Sequence, residues 1–155
     1  MAVGDIIVFC RFRLDVGKKL HDLSSDTFKL AYIKSAANGG FDPAANTADP
    51  RWGSGGATNF STGEVATGSS YSAGGHTLTS TTWTQVSDIP TFRADIVTTA
   101  QDASGFNDAR WAIIFNNTDS GKRCVCYIDL GSDKSIVSGS ISEDFFGSTN
   151  DIFTS

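Results

Sequence analysis

The chain has 155 residues, of which 39% are hydrophobic, 11% aromatic and only 19% charged, a balance that describes one soluble globular domain with a real core and rules out most exotic classes. Serine and threonine together number 35 and glycine 16, so the remainder is small and hydroxylated, which favours short strands and turns over long salt-bridged helices. Twelve Lys and Arg against 17 Asp and Glu leave a net charge of −5, and the scattered basic residues give no electrostatic footprint for a nucleic-acid backbone.

The opening run Ile6-Ile7-Val8-Phe9 is bounded by Asp5 and Arg11. It is too short for the apolar stretch of a secretory signal and far below the roughly 20 residues of a membrane span, so folding in a cytoplasm is expected. Residues 1–25 read as a short amphipathic helix or an irregular arm, because apolar residues recur at mixed spacings and Gly17 lowers helix propensity. Phe28-Lys29-Leu30-Ala31-Tyr32-Ile33-Lys34 puts Phe28, Leu30 and Tyr32 on one face at period two and predicts a strand.

Residues 35–70 lose all periodicity and fill with Gly, Ala, Asn, Ser, Thr and two prolines, interrupted by Phe41, Trp52, Phe60 and Val65. A structureless stretch of that length in a small domain is either functional or packed by its own side chains. Both readings stand: an Ω-like excursion pinned to the domain, or a segment that meets a neighbouring molecule. The second makes Phe41, Trp52 and Phe60, with Ile7 and Phe9 of the arm, candidate partner contacts.

Residues 71–146 carry most of the expected strands. Tyr71 to Thr79 contains Gly74-Gly75 as a turn or bulge, residues 81–86 alternate, and Phe92 to Val97 follows just past Pro90. The clearest pair is Ala109 to Phe115 with Arg123 to Leu130, two nearly continuous apolar runs joined by the turn formers 116–122 and therefore expected as a central antiparallel hairpin covered on both faces. A further strand is expected over 134–141, then Phe145-Phe146-Gly147 and a polar tail. Short strands without alternating helices predict an antiparallel β-sandwich or jelly-roll-like single domain.

Chemistry is sparse. The elbow G-x-S-x-G is absent, and Gly53-Ser54-Gly55-Gly56 lacks the Lys-Ser/Thr ending of a phosphate loop. Cys10, Cys124 and Cys126 have no further ligands at finger-like spacing and read as buried apolar thiols. The sequons at Asn59 and Asn116 carry no weight without a secretory signal. Trp111 belongs to the core, and Trp52, in the irregular segment, is the tryptophan placed to stack on a sugar. No catalytic, cofactor or metal site is expected.

The segments Phe28-Lys29-Leu30-Ala31-Tyr32-Ile33, Gly63-Glu64-Val65, Tyr71-Ser72-Ala73-Gly74-Gly75-His76-Thr77-Leu78 and Ala109-Arg110-Trp111-Ala112-Ile113-Ile114-Phe115-Asn116-Asn117-Thr118, with the strand Lys122 to Gly131, resemble in content and order a family of small virion proteins of tailed bacteriophages. The resemblance spans roughly residues 20–145, and its motifs are structural rather than chemical. It implies a non-enzymatic particle component assembled in the bacterial cytoplasm, above all a capsid decoration or cement protein acting on the major capsid protein or another virion protein as a homo-oligomer. The alternative it allows is a tail, baseplate or fibre component, with a surface glycan as ligand. The lead-in up to Leu23, with its run Ile6-Ile7-Val8, departs from the family pattern.

Overall fold

The computed structural model describes residues 4–143 and 151–154. Its centre is a five-stranded antiparallel sheet built from β1 (Ile6–Val8), β2 (Phe28–Lys34), β5 (His76–Thr77), β9 (Ala109–Asn116) and β10 (Cys124–Lys134), in the order β1-β10-β9-β2-β5. The mainly-β single domain is as the sequence leads one to expect. The hairpin is present: β9 and β10 pair antiparallel, and β2 takes the other edge of β9, with Phe28 opposite Asn116 and Ile33 opposite Trp111. Nearly every side chain of β9 is buried, so both faces of the sheet are covered.

The two faces are covered by different material. Phe28, Leu30 and Tyr32 share a face with Ile114, Ala112, Cys126 and Val8 through the strand register. Against it pack α1 (Cys10–Gly17) and a three-stranded sheet of β12 (Asp151–Thr154), β7 (Ile89–Arg93) and β6 (Thr82–Val86), joined by the Phe28–Phe92, Phe92–Phe153 and Phe12–Phe153 ring contacts. A two-stranded pair, β8 (Val97–Thr99) with β11 (Ile141–Glu143), borders this layer. The opposite face, with Phe115, Ile113, Trp111 and Tyr127, is roofed by the irregular excursion. That segment holds three single 3-10 turns and one two-residue parallel pair, β3 (Pro50–Arg51) with β4 (Thr58–Asn59).

Several expectations are corrected. Ile6–Val8 is an edge strand and not part of the helix, because its β-branched run can pair with β10, and Gly17 closes α1 instead of interrupting it. Only His76–Thr77 of the 71–79 stretch pairs as strand. Residues 92–97 are divided between β7 and β8, and Pro90 lies inside β7. The turn explains why it can: Ser87 and Asp88 both have positive φ (49° and 67°) and form a two-residue hairpin loop, which makes Val86 and Ile89 the bonded pair and leaves Pro90 in the non-bonded position opposite Gln85. No separate strand forms over 134–141, since β10 runs on to Lys134 and β11 starts only at Ile141. The expected polar tail contains β12, whose Ile152 and Phe153 are buried. Phe145 and Phe146 lie outside the described residues.

The cysteines also divide. Cys124 and Cys126 are free and buried, and burial pushes both thiols up, but Cys10 is exposed. A bulge sets Cys124 opposite Phe115 and Cys126 opposite Ile114, so the two do not share a face as strict alternation would have it.

Candidate functional site

The residues expected to meet a partner fall into two groups. Trp52 is 4% exposed and lies flat on Phe115, ring centroids 5.1 Å apart, while Phe60 is fully buried between Phe9 and Phe41. Phe9 is likewise buried, against Tyr127. These three side chains are therefore corrected from partner contacts to core: the exposed face of β9 and β10 needs an apolar cover, and the excursion supplies it from within the chain. Phe41 and Ile7 are only half-buried at the margin of the same core.

The motif segments converge on one interlock. Glu64 Oε1 accepts from the Tyr71 hydroxyl at 2.9 Å and from Gly74 N at 2.7 Å, and the Tyr71 hydroxyl in turn accepts from Tyr32 N at 3.0 Å. Val65 N donates to Tyr32 O. The end of the excursion is thereby tied to β2 and to the turn before β5. Desolvation raises the Glu64 carboxyl and holds Tyr71 far above the usual phenol range. His76 Nε2 contacts Thr99 Oγ1 at 2.8 Å, and burial lowers its pKa.

A second polar knot fastens α1. Asp15 is fully buried, takes a hydrogen bond from Arg11 Nε at 3.0 Å and faces Arg123 Nε at 3.7 Å, while Arg123 is also paired with Asp119. Asn116 Oδ1 accepts from the N–H groups of Thr118 and Asp119, which orients its amide so that Nδ2 donates to His21 Nδ1 and Asp26 Oδ2. The His21 proton therefore sits on Nε2. Desolvation lowers the His21 pKa against the pull of Asp15, Asp119 and Asp26. Asn116 itself is fully buried, as a residue that ties the hairpin turn to the preceding loop must be.

A third ionisable group stands apart. Glu143 on β11 is pushed up to about 7 by burial, with Lys134 and the Tyr32 hydroxyl opposing. The folded state therefore holds its proton more tightly than the unfolded chain, whose ordinary value is 4.5. Stability is fully present below that value and is lost as pH rises toward 7. Glu143→Gln is expected to be more stable than the parent at pH 8, by up to about 3 kcal/mol, and equal to it at pH 4. Urea unfolding at both pH values checks this, and an equal effect at both would refute it.

Of these knots, the second reaches a cleft through His21. Among the described residues, no group of three or more His, Cys, Asp or Glu side chains is arranged to hold a metal ion. What does open to solvent is an apolar groove of about 430 Å³ between α1 and the three-stranded sheet, walled by Val8, Phe12, Val16, Leu23, Trp83 and Phe153. Val16, Leu23 and Trp83 also line a second lobe of about 380 Å³ with Lys19, His21 and Asp22. Sequence reasoning missed this groove, because its walls come from elements far apart in the chain. The signal available was Trp83, set in a Thr-rich strand where an inward aromatic has few apolar neighbours in sequence.

Comparison with family models, with curated proteins and with solved structures gives no match.

Proposed function

We propose that this chain is a non-enzymatic structural protein of a tailed-bacteriophage particle, most simply a capsid decoration or cement protein that stabilises neighbouring capsid subunits. The observation that carries the reading is the convergence of the motif segments. Scattered along the sequence, they come together as β2 with β9 on one side and β5 on the other, clipped by Glu64 to Tyr71 and Gly74. Residues that carry the family likeness thus build a frame and leave the surface free for contact, which suits a many-copy protein that needs area and little chemistry.

In this reading the contact surface is not made by Trp52 and Phe60, which are spent on the chain's own core. The excursion offers a neighbour its polar backbone and small side chains instead. Placement in a tail, baseplate or fibre, with a surface glycan as ligand, loses Trp52 as a stacking platform, and Trp83 is the tryptophan left partly open.

Purified protein is expected to co-sediment with expanded capsids of its own phage at a stoichiometry set by the lattice symmetry. Failure to co-sediment overturns the decoration role, and a copy number matching the tail's symmetry moves the protein to the tail.

A further inference from the structure

We infer that the two-lobed groove beside α1 is the docking site for a partner protein's segment in which large apolar side chains stand next to carboxylates. One lobe is apolar: Phe12, Leu23 and Phe153 form its floor and Val8, Val16 and Trp83 its walls. Val16 is 40% exposed, and Leu14 on the same short helix is 50% exposed. Two such side chains on one turn of a helix with a buried Asp15 are the reverse of ordinary surface patterning.

The rim carries the opposite charge to the protein as a whole. Arg13 stands on the wall of the apolar lobe and Lys19 lines the second lobe. Both are exposed, and among the described residues neither takes part in an ion pair, whereas Arg11, Arg51, Arg93, Arg110 and Arg123 all do. The one carboxylate at the groove, Asp22, is turned onto the backbone N–H and hydroxyl of Ser24, and these hydrogen bonds hold its pKa low. A chain of net charge −5 that sets two cations without ion pairs, Arg13 and Lys19, in the lining of its apolar groove is complementary to an acidic segment with an apolar anchor. The shape selects among partners that basic and apolar groups together attract. A concave groove encloses a few side chains, while a lipid surface needs a convex or flat apolar face.

This inference rests on the reading above only for the partner's source, which that reading makes a capsid subunit. The probe is a synthetic peptide with Phe and Leu set between Glu and Asp residues, titrated against the full chain and followed by intrinsic fluorescence and by the amide signals of α1 and β6. A second peptide has Lys in place of every acidic residue. Saturable binding of the acidic peptide is expected, weaker as salt rises and at least tenfold weaker for the basic one. Val16→Glu, and separately Arg13→Glu with Lys19→Glu, are each expected to reduce it at least tenfold while leaving the thermal midpoint unchanged, since these side chains are exposed.

No saturable binding, equal binding of both peptides, or binding undiminished by Val16→Glu overturns the inference, and so does tighter association with phosphatidylglycerol vesicles than with the peptide. The same variants are then sedimented with capsids. If the parent chain co-sediments and Val16→Glu does so equally well, the groove is not the capsid contact and the inference fails while the decoration role stands. If the parent chain does not co-sediment yet binds the acidic peptide in the groove, the decoration role fails and the docking site stands.

Discussion

Truncating Trp52 to alanine is expected to lower the unfolding free energy by about 3–5 kcal/mol, the usual cost of emptying a large aromatic from a core. The indole covers Phe115 with an interplanar angle of 8° and is almost wholly withdrawn from water. It also closes the excursion over the hairpin turn, since Trp52 N donates to Lys122 O at 2.8 Å. Chemical denaturation of Trp52→Ala gives the number directly. Any loss of particle or sugar binding by this variant should track its unfolded fraction. A variant of unchanged stability that no longer binds would return Trp52 to the role of a surface contact.

Gly75→Ala is expected to cost still more, above about 4 kcal/mol, because the change strikes backbone. A Cβ at this position would stand 2.0 Å from Leu30 O and 2.7 Å from Ala31 Cα, on a residue with φ of +72°. Relief requires β5 to leave β2, which removes the Lys29–Thr77 and Leu30–His76 pairing and pulls on the turn that holds Glu64. Gly74→Ala is the control. Its φ is similar at +81°, but its nearest contact is the Lys29 ammonium at 3.8 Å, so only the conformational cost of about 1 kcal/mol applies. Thermal melts of the pair, with hydrogen exchange at the β2–β5 pairing, separate the two effects. Equal destabilisation would show that close approach to Leu30 is not what demands glycine at 75.

The hairpin of β9 and β10 was legible because its signal is local. Two apolar runs flank a turn dense in Asn, Asp, Ser and Gly, and the absence of alternation announces that both faces are covered. The identity of the cover was not legible. Trp52 and Phe60 look exposed in a run of small polar residues, yet a segment without regular structure can still bury single aromatics when a sheet face lies open beneath it. Burial there is decided by Phe115 and Phe9, which are distant in sequence. The split of 92–97 and the strand character of 151–154 were hidden for a similar reason: pairing between β7 and β12, with Arg93 bonded to Asp151, creates strands that local propensity does not. The interlock of Glu64, Tyr71 and Gly74 was visible only as a motif, and its meaning came with the register of β2.

The position of β2 has a consequence for the order in which the chain can fold. β9 and β10 are joined by a short turn and can pair at once, but β2 reaches β9 only after the excursion and the whole β6–β7 hairpin have been looped out between Phe28 and Asn116. That closure carries an entropic cost that grows with loop length and places the chain among slow, high-contact-order folders. Until the rest of the chain packs on it, a hairpin formed first presents two uncovered apolar faces, because its covers are α1 with the sheet of β6, β7 and β12 on one side and the excursion on the other. A freshly synthesised copy is thus at its most adhesive before it is native, and crowding by sister copies is most hazardous in that interval.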